Sequence, residues 1–175
     1  EHAPALADGI VTSTETSTSY SIVISPPGSD RRFLHHSGAN DDFCADDVRD
    51  EDVQDARLFH FGYPPLMARM FADDGSQLTE MFRRVNSLGL TTSLDMAFPD
   101  PNSAAGRSNW HRILKNTLPH VDIFLPSLDE ILFMLGRNVK TPLSAQLLTE
   151  VSDELLAMGA KMILLKLGER GLYLR

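Results

Sequence analysis

The sequence predicts an α/β domain built on a mostly parallel sheet. Three observations predict it. Four short apolar segments, residues 56–61, 91–97, 121–125 and 162–167, have the length and composition of strands. Segments with helical periodicity or helix-end signals separate them. Gly, Pro, Asn and Asp gather at the junctions, where turns are needed. Alternation of this kind implies βαβ units with right-handed crossovers. Such a sheet takes its ligands outside the carboxyl ends of the strands.

The chain begins with a small, polar lead-in over residues 1–17, with a Thr/Ser run from Thr12 to Thr18. Residues 19–24 carry Tyr, Ile and Val and read as a strand. Pro26-Pro27-Gly28-Ser29-Asp30 is dense turn chemistry, and Arg32-Phe33-Leu34-His35-His36 follows as a second strand. The two form a hairpin, which a polar loop over residues 37–47 leaves. The first apolar strand ends at Gly62, and residues 64–71 read as a short helix.

Asp74-Gly75-Ser76-Gln77 has the spacing of a capping box. Leu78, Met81, Phe82, Val85 and Leu88 then recur at helical spacing, with Gly89 at the C′ position. After the second strand, a loop at 98–108 leads to a helix around 109–118 that Pro119 stops. The third strand runs into a short helix at 127–135, ended by Gly136. Thr141-Pro142 reads as the cap and first residue of another helix, with Leu143, Leu147, Val151 and Leu155 as its buried stripe and Gly159 as its end. The fourth strand passes through Gly168 and Gly171 into residues 172–174.

Composition narrows the function classes. A net charge of -8 repels phosphate backbones and argues against nucleic acid or an anionic membrane as partner. The single cysteine, Cys44, forms no internal disulfide, which suits a cytoplasmic protein. No apolar run approaches the roughly 20 residues of a membrane span. Glu1-His2-Ala3-Pro4 lacks the pattern of a signal peptide, and without an initiator Met the start reads as processed or cut.

The candidate chemistry collects at the carboxyl ends of the strands. Ser127-Leu128-Asp129-Glu130 opens a helix there. It serves as a capping box, as a carboxylate beside a metal–phosphate complex, or as both in turn. Gly168-Glu169-Arg170-Gly171 lets backbone amides approach a phosphate or a base, or is an ordinary hairpin turn. No P-loop pattern is present. Asp95 lies inside an apolar strand, so it is either a site residue or a paired loop anchor. Gly38-Ala39-Asn40-Asp41, at the foot of the hairpin, is a clamp for a hydroxylated ligand or a surface loop. His35 and His36 point to opposite faces, and His60, His111 and His120 have no partners at metal-ligand spacing. No nucleophile-elbow pattern appears.

The pieces and their order resemble the PfkB/ribokinase family of carbohydrate kinases. The segments that carry the resemblance are Thr18-Ser19-Tyr20-Ser21-Ile22, FLHHSGAN from Phe33 to Asn40, VDIFLPSLDE from Val121 to Glu130, and ILLKLGERG from Ile163 to Gly171. It covers nearly all of the chain from about Ser13. It implies a ribokinase-like, doubly wound, mostly parallel sheet with a small β-hairpin lid: a lead-in at 1–17, a lid segment at 18–47 and a partial nucleotide-binding core at 48–175. It further implies ATP-dependent phosphorylation of a sugar hydroxyl, with ATP and Mg2+ as cofactors and a homodimer formed through the lid.

Residue by residue, the resemblance puts Gly38, Ala39 and Asn40 near the sugar, with Asp95 close to a sugar- or phosphate-facing strand end. Glu130 matches the glutamate that organises magnesium and phosphates. Gly168 and Gly171 match glycines beside the nucleotide. Ser127 stands where the family has Asn, and Lys166 where Thr is common. The family's N-terminal Gly-Gly segment and its Gly-Ala-Gly-Asp signature, which supplies the anion hole and catalytic base, do not occur in these 175 residues. The chain alone is therefore expected to have little or no kinase activity. The rival expectations are a non-catalytic nucleotide- or sugar-binding module and an unrelated flavodoxin-like regulator.

Overall fold

The computed structural model describes residues 9–29 and 31–175. The first eight residues of the lead-in and Asp30 of the predicted turn lie outside the described residues. The chain forms a two-stranded antiparallel hairpin and a separate five-stranded sheet. The hairpin pairs β1 (Tyr20–Ile24) with β2 (Arg32–His36), Ile22 opposite Leu34 and Val23 opposite Phe33.

The larger sheet holds β3 (Leu58–Gly62), β4 (Thr91–Asp95), β5 (Ile123–Phe124), β6 (Met162–Lys166) and β7 (Leu172–Leu174), in chain order. The first four are parallel. β7 turns back antiparallel along β6, as the ordinary hairpin turn read at Gly168–Gly171 requires. The α/β class and the mostly parallel sheet with an added hairpin are as the sequence implies.

The helices fill the crossovers. They are α1 (Asp50–Val53), α2 (Ala68–Phe71), α3 (Ser76–Ser87), α4 (Trp110–Thr117), α5 (Leu128–Met134) and α6 (Ala145–Ala157). The apolar spacing read for α3 is the buried face observed: Leu78, Met81, Phe82 and Val85 are all buried. Gly89, at φ +86, ends it as a C′ glycine should. Across the sheet, Phe61, Leu94, Phe124 and Ile163 share one register row, and the last three are fully buried against the helices. The next row along the sheet, His60, Ser93, Ile123 and Met162, points to the other face, where Met162 is exposed.

Several boundaries differ from the sequence reading. The predicted capping box at Asp74 does not form. Asp74 is itself left-handed and pairs with Arg112 at 3.0 Å, while Gln77 accepts the Ala45 N–H at 3.0 Å. Gly75 is the cap instead, because its left-handed backbone sits where a Cβ would come within 2.7 Å of Ile113. The helix read from Thr141 begins later, at Ala145, capped by the Ser144 hydroxyl. Thr141 is occupied elsewhere: its N–H and hydroxyl both donate to the Asn138 carbonyl, closing a turn.

The helix read over residues 64–71 is two pieces, a 3-10 turn (Pro64–Leu66) and α2, separated by an extended Met67. The third strand is only two residues by its ladder. Asp122 and Leu125 nevertheless donate backbone bonds to Thr92 and Leu94, so pairing extends to both sides of it.

Candidate functional site

The site is assembled by backbone pairing before any side chain is considered. The chain leaving β5 stays beside the end of β6. The Lys166 N–H donates to the Pro126 carbonyl at 2.9 Å, and Ser127 and Lys166 form a parallel bridge. This brings the N-terminus of α5 against the last residue of β6. On the other side, β4 ends at Asp95. Three strand ends therefore deliver Asp95, Ser127 and Lys166 to one edge, as the sheet topology requires.

Ser127 caps α5, with its hydroxyl accepting the Glu130 N–H at 3.3 Å. The Glu130 Oε2 accepts the Ser127 N–H at 2.7 Å. The predicted capping box is thus present in both directions. Burial pushes the Glu130 carboxyl above its ordinary range. The Ser127 N–H and the Lys166 ammonium pull the other way, and the Asp95 charge adds to the rise. Asp95 is 8% exposed and is partnered as a buried carboxylate must be. Its Oδ1 accepts the Met96 N–H at 2.7 Å and the Lys166 Nζ at 2.6 Å.

Beyond Lys166 the chain makes a tight turn, Gly168–Arg170, closed by the Leu167 N–H to the Gly171 carbonyl at 2.8 Å. Gly168 and Gly171 both have positive φ, which explains the glycines without any ligand. A Cβ at either would meet nothing within 4 Å, so the turn faces open space. A cavity of about 490 Å³ lies there, lined by Ser127, Asp129, Thr141, Lys166, Gly168 and Arg170 among others. Glu130, Asp95 and Gly171 stand outside its lining.

Gly38, Ala39 and Asn40 are not part of this cluster. They form a 3-10 turn with Asp41 at the foot of the hairpin. Gly38 has φ +49, and a Cβ there would lie 2.3 Å from the Ser17 carbonyl oxygen. The Ala39 N–H donates to that same oxygen at 2.9 Å. Asp41 accepts the Ala68 N–H at 2.9 Å and the Ser37 hydroxyl. The turn thus ties the hairpin to the core. A second cleft, of about 450 Å³, lies between hairpin and core and is lined by Phe33, His35, Ser37, Asp41, Asp100 and Ser103 among others. Gly38, Ala39 and Asn40 fall between two of its lining residues without lining it.

Sequence reasoning missed Arg170, Thr141 and Asp129 as cavity residues. For Arg170 the signal was its place inside Gly-x-x-Gly. For Thr141 the helix reading concealed a loop position. Tyr63 follows β3 in the left-handed region (φ 72) directly before Pro64. Its N–H reaches the Asp95 carbonyl at 3.4 Å, which ties the end of β3 to the end of β4.

The fold has clear relatives among solved structures. The fructokinase of Xylella fastidiosa with bound ATP superposes with a TM-score of 0.70 at 21% identity, over 96% of this chain and 50% of that one. The ribokinase of Giardia lamblia gives 0.69 at 17% identity, over 93% and 46%. The Arabidopsis thaliana ribokinase complexed with ribose and ATP gives 0.64 at 18% identity, over 91% and 46%. The chain spans about half the length of these proteins. At such identities the likeness shows a ribokinase-like fold, the fold of sugar kinases. No protein-family model and no curated protein matches the sequence.

Proposed function

We propose that this chain is a carbohydrate-kinase module that holds ATP at the C-terminal edge of its parallel strands and a sugar hydroxyl beneath the hairpin. One observation carries the reading. The Ser127 cap, Lys166 and the Gly168 turn surround a cavity at the ends of two adjacent parallel strands, where α/β sheets bind ligands. The open turn suits close approach by phosphates or a base, and Lys166 and Arg170 supply positive charge. The second cleft combines phenylalanine faces with carboxylates and hydroxyls, which is the chemistry that takes a sugar. Asp95 serves the first site through Lys166, and Gly38, Ala39 and Asn40 serve the second by fixing the hairpin.

The cation expected at Glu130 was magnesium. One Glu130 oxygen is committed to the Ser127 N–H, and the neighbouring Asp95 oxygen to an ammonium. Magnesium needs near-octahedral oxygen ligands, usually with one or two carboxylates free for it. Both carboxylates already have a partner that a protein-held magnesium would have to share, and no step is assigned to one.

The hairpin exposes Ile22, Leu34, Val23 and Phe33 on its two faces, which supports a homodimer formed through this lid segment of residues 18–47. Among the described residues no helix is long and apolar enough to cross a membrane. The lone thiol, Cys44, supports a cytoplasmic location. The 175 residues contain no Gly-Ala-Gly-Asp segment to supply a base. This favours a second reading, a binding module without turnover.

A thermal-shift titration with ATP, with ribose and with fructose, run beside a coupled ADP-release assay, separates the readings. The expected result is stabilisation by ATP and by at least one sugar, with turnover at background. Robust turnover by this chain overturns the expected inactivity. Absence of any shift overturns both readings.

A further inference from the structure

The Lys166 ammonium is bound to the buried carboxylate of Asp95 at the ligand edge of the sheet. Its Nζ is 2.6 Å from the Asp95 Oδ1, and its charge also favours the ionised form of Glu130. The main chain at Lys166 is fixed by the bond to Pro126 and the bridge to Ser127. The side chain is not enclosed. It is 34% exposed and lines the 490 Å³ cavity together with Gly168 and Arg170. A four-carbon stem on a fixed backbone lets the ammonium move between a buried carboxylate and the cavity. Asp95 holds it at hand while the cavity is empty of phosphate.

Among the described residues no group of three or more His, Cys, Asp or Glu side chains is arranged to hold a metal ion. An ammonium in contact with Asp95 also repels a second cation brought to the same oxygen. Phosphate oxygens, by contrast, are acceptors that a lysine serves directly as a point charge.

We propose that Lys166 does at this edge the work of a protein-held divalent cation, leaving Asp95 for the phosphate oxygens of a nucleoside di- or triphosphate. This rests on the nucleotide reading above. Its consequence is that the chain binds nucleotide without divalent metal, with Asp95 as the positioning residue for Lys166.

Isothermal titration of the 175-residue chain with ADP tests this, in EDTA and in excess Mg2+, with circular dichroism to verify folding of each variant. Wild type is expected to bind in EDTA with a Kd within threefold of its value in Mg2+. K166M should weaken binding in EDTA at least tenfold and recover part of it when Mg2+ is added. K166R, which keeps the charge, should stay within fivefold of wild type. D95N, which removes the partner that holds the ammonium in place, should weaken binding in EDTA by about threefold or more, and adding D95N to K166M should cost nothing further. Binding by wild type only when Mg2+ is present overturns the inference and leaves the nucleotide reading intact. So does a folded K166M that matches wild type in EDTA. No ADP binding under either condition overturns the nucleotide reading itself, and this inference with it.

Discussion

At the residue scale, Glu130 shows how a cap and a site candidate share one side chain. Its carboxyl is held above the ordinary value of 4.5, chiefly by burial. A carboxyl whose pKa is raised on folding favours the protonated form in the native state. Its contribution to stability is therefore fully present below about 4.5 and is lost as pH rises through the higher folded value. Glu130→Gln removes the charge and keeps an acceptor for the Ser127 N–H. The expected outcome is that the variant gains in Tm relative to wild type as pH rises from 4.5 towards neutrality. Thermal melts at several pH values check it, and a constant difference would count against the burial argument.

Gly38 offers a second test at this scale. A side chain there meets both a left-handed backbone and the Ser17 carbonyl. Gly38→Ala should cost about 1–3 kcal/mol locally, read as faster proteolysis within residues 18–42 than in the sheet.

At the element scale, the instructive contrast is between α5 and α6. Both are capped by serine, but only the α5 cap was read correctly from the sequence. Ser127 is followed by Glu130 at the spacing of a reciprocal box, and nothing competes for either. For α6, Thr141-Pro142 was the stronger local signal, yet the Asn138 carbonyl captured the Thr141 hydroxyl. Ser144 became the cap by default of its neighbour. Ser144→Ala should destabilise the chain by about 1 kcal/mol, measured by urea unfolding, while Thr141→Ala should leave the α6 cap intact.

The strands were legible because apolar runs bounded by turn residues have few alternatives. The site was legible only in part, because partners distant in sequence are invisible there. Asp95 and Lys166 are 71 residues apart, and only the sheet register brings them to 2.6 Å. In the same way, the close approach of Gly38 to the Ser17 carbonyl, 21 residues earlier, leaves no mark in the sequence.

At the scale of the whole molecule, the accessible surface is 10553 Å². A folded monomer of this mass is expected to expose roughly 8,500 Å². Apolar residues are uncovered on the hairpin and on the sheet face bearing Leu58, Met162, Leu172 and Leu174. Self-association through the hairpin is the expected outcome, with sedimentation giving a dimer that Ile22→Ser with Leu34→Ser dissociates. A monomer at high concentration would contradict the lid interface.

The central claim is that nucleotide binds at the carboxyl ends of β5 and β6. An ATP titration followed by amide chemical shifts of the assigned, isotope-labelled chain tests it most directly. The account predicts perturbations concentrated at Ser127, Asp129, Thr141, Lys166, Gly168 and Arg170. No perturbation at millimolar ATP would contradict it. So would changes confined to the opposite end of the strands, at Thr91, Asp122 and Lys161.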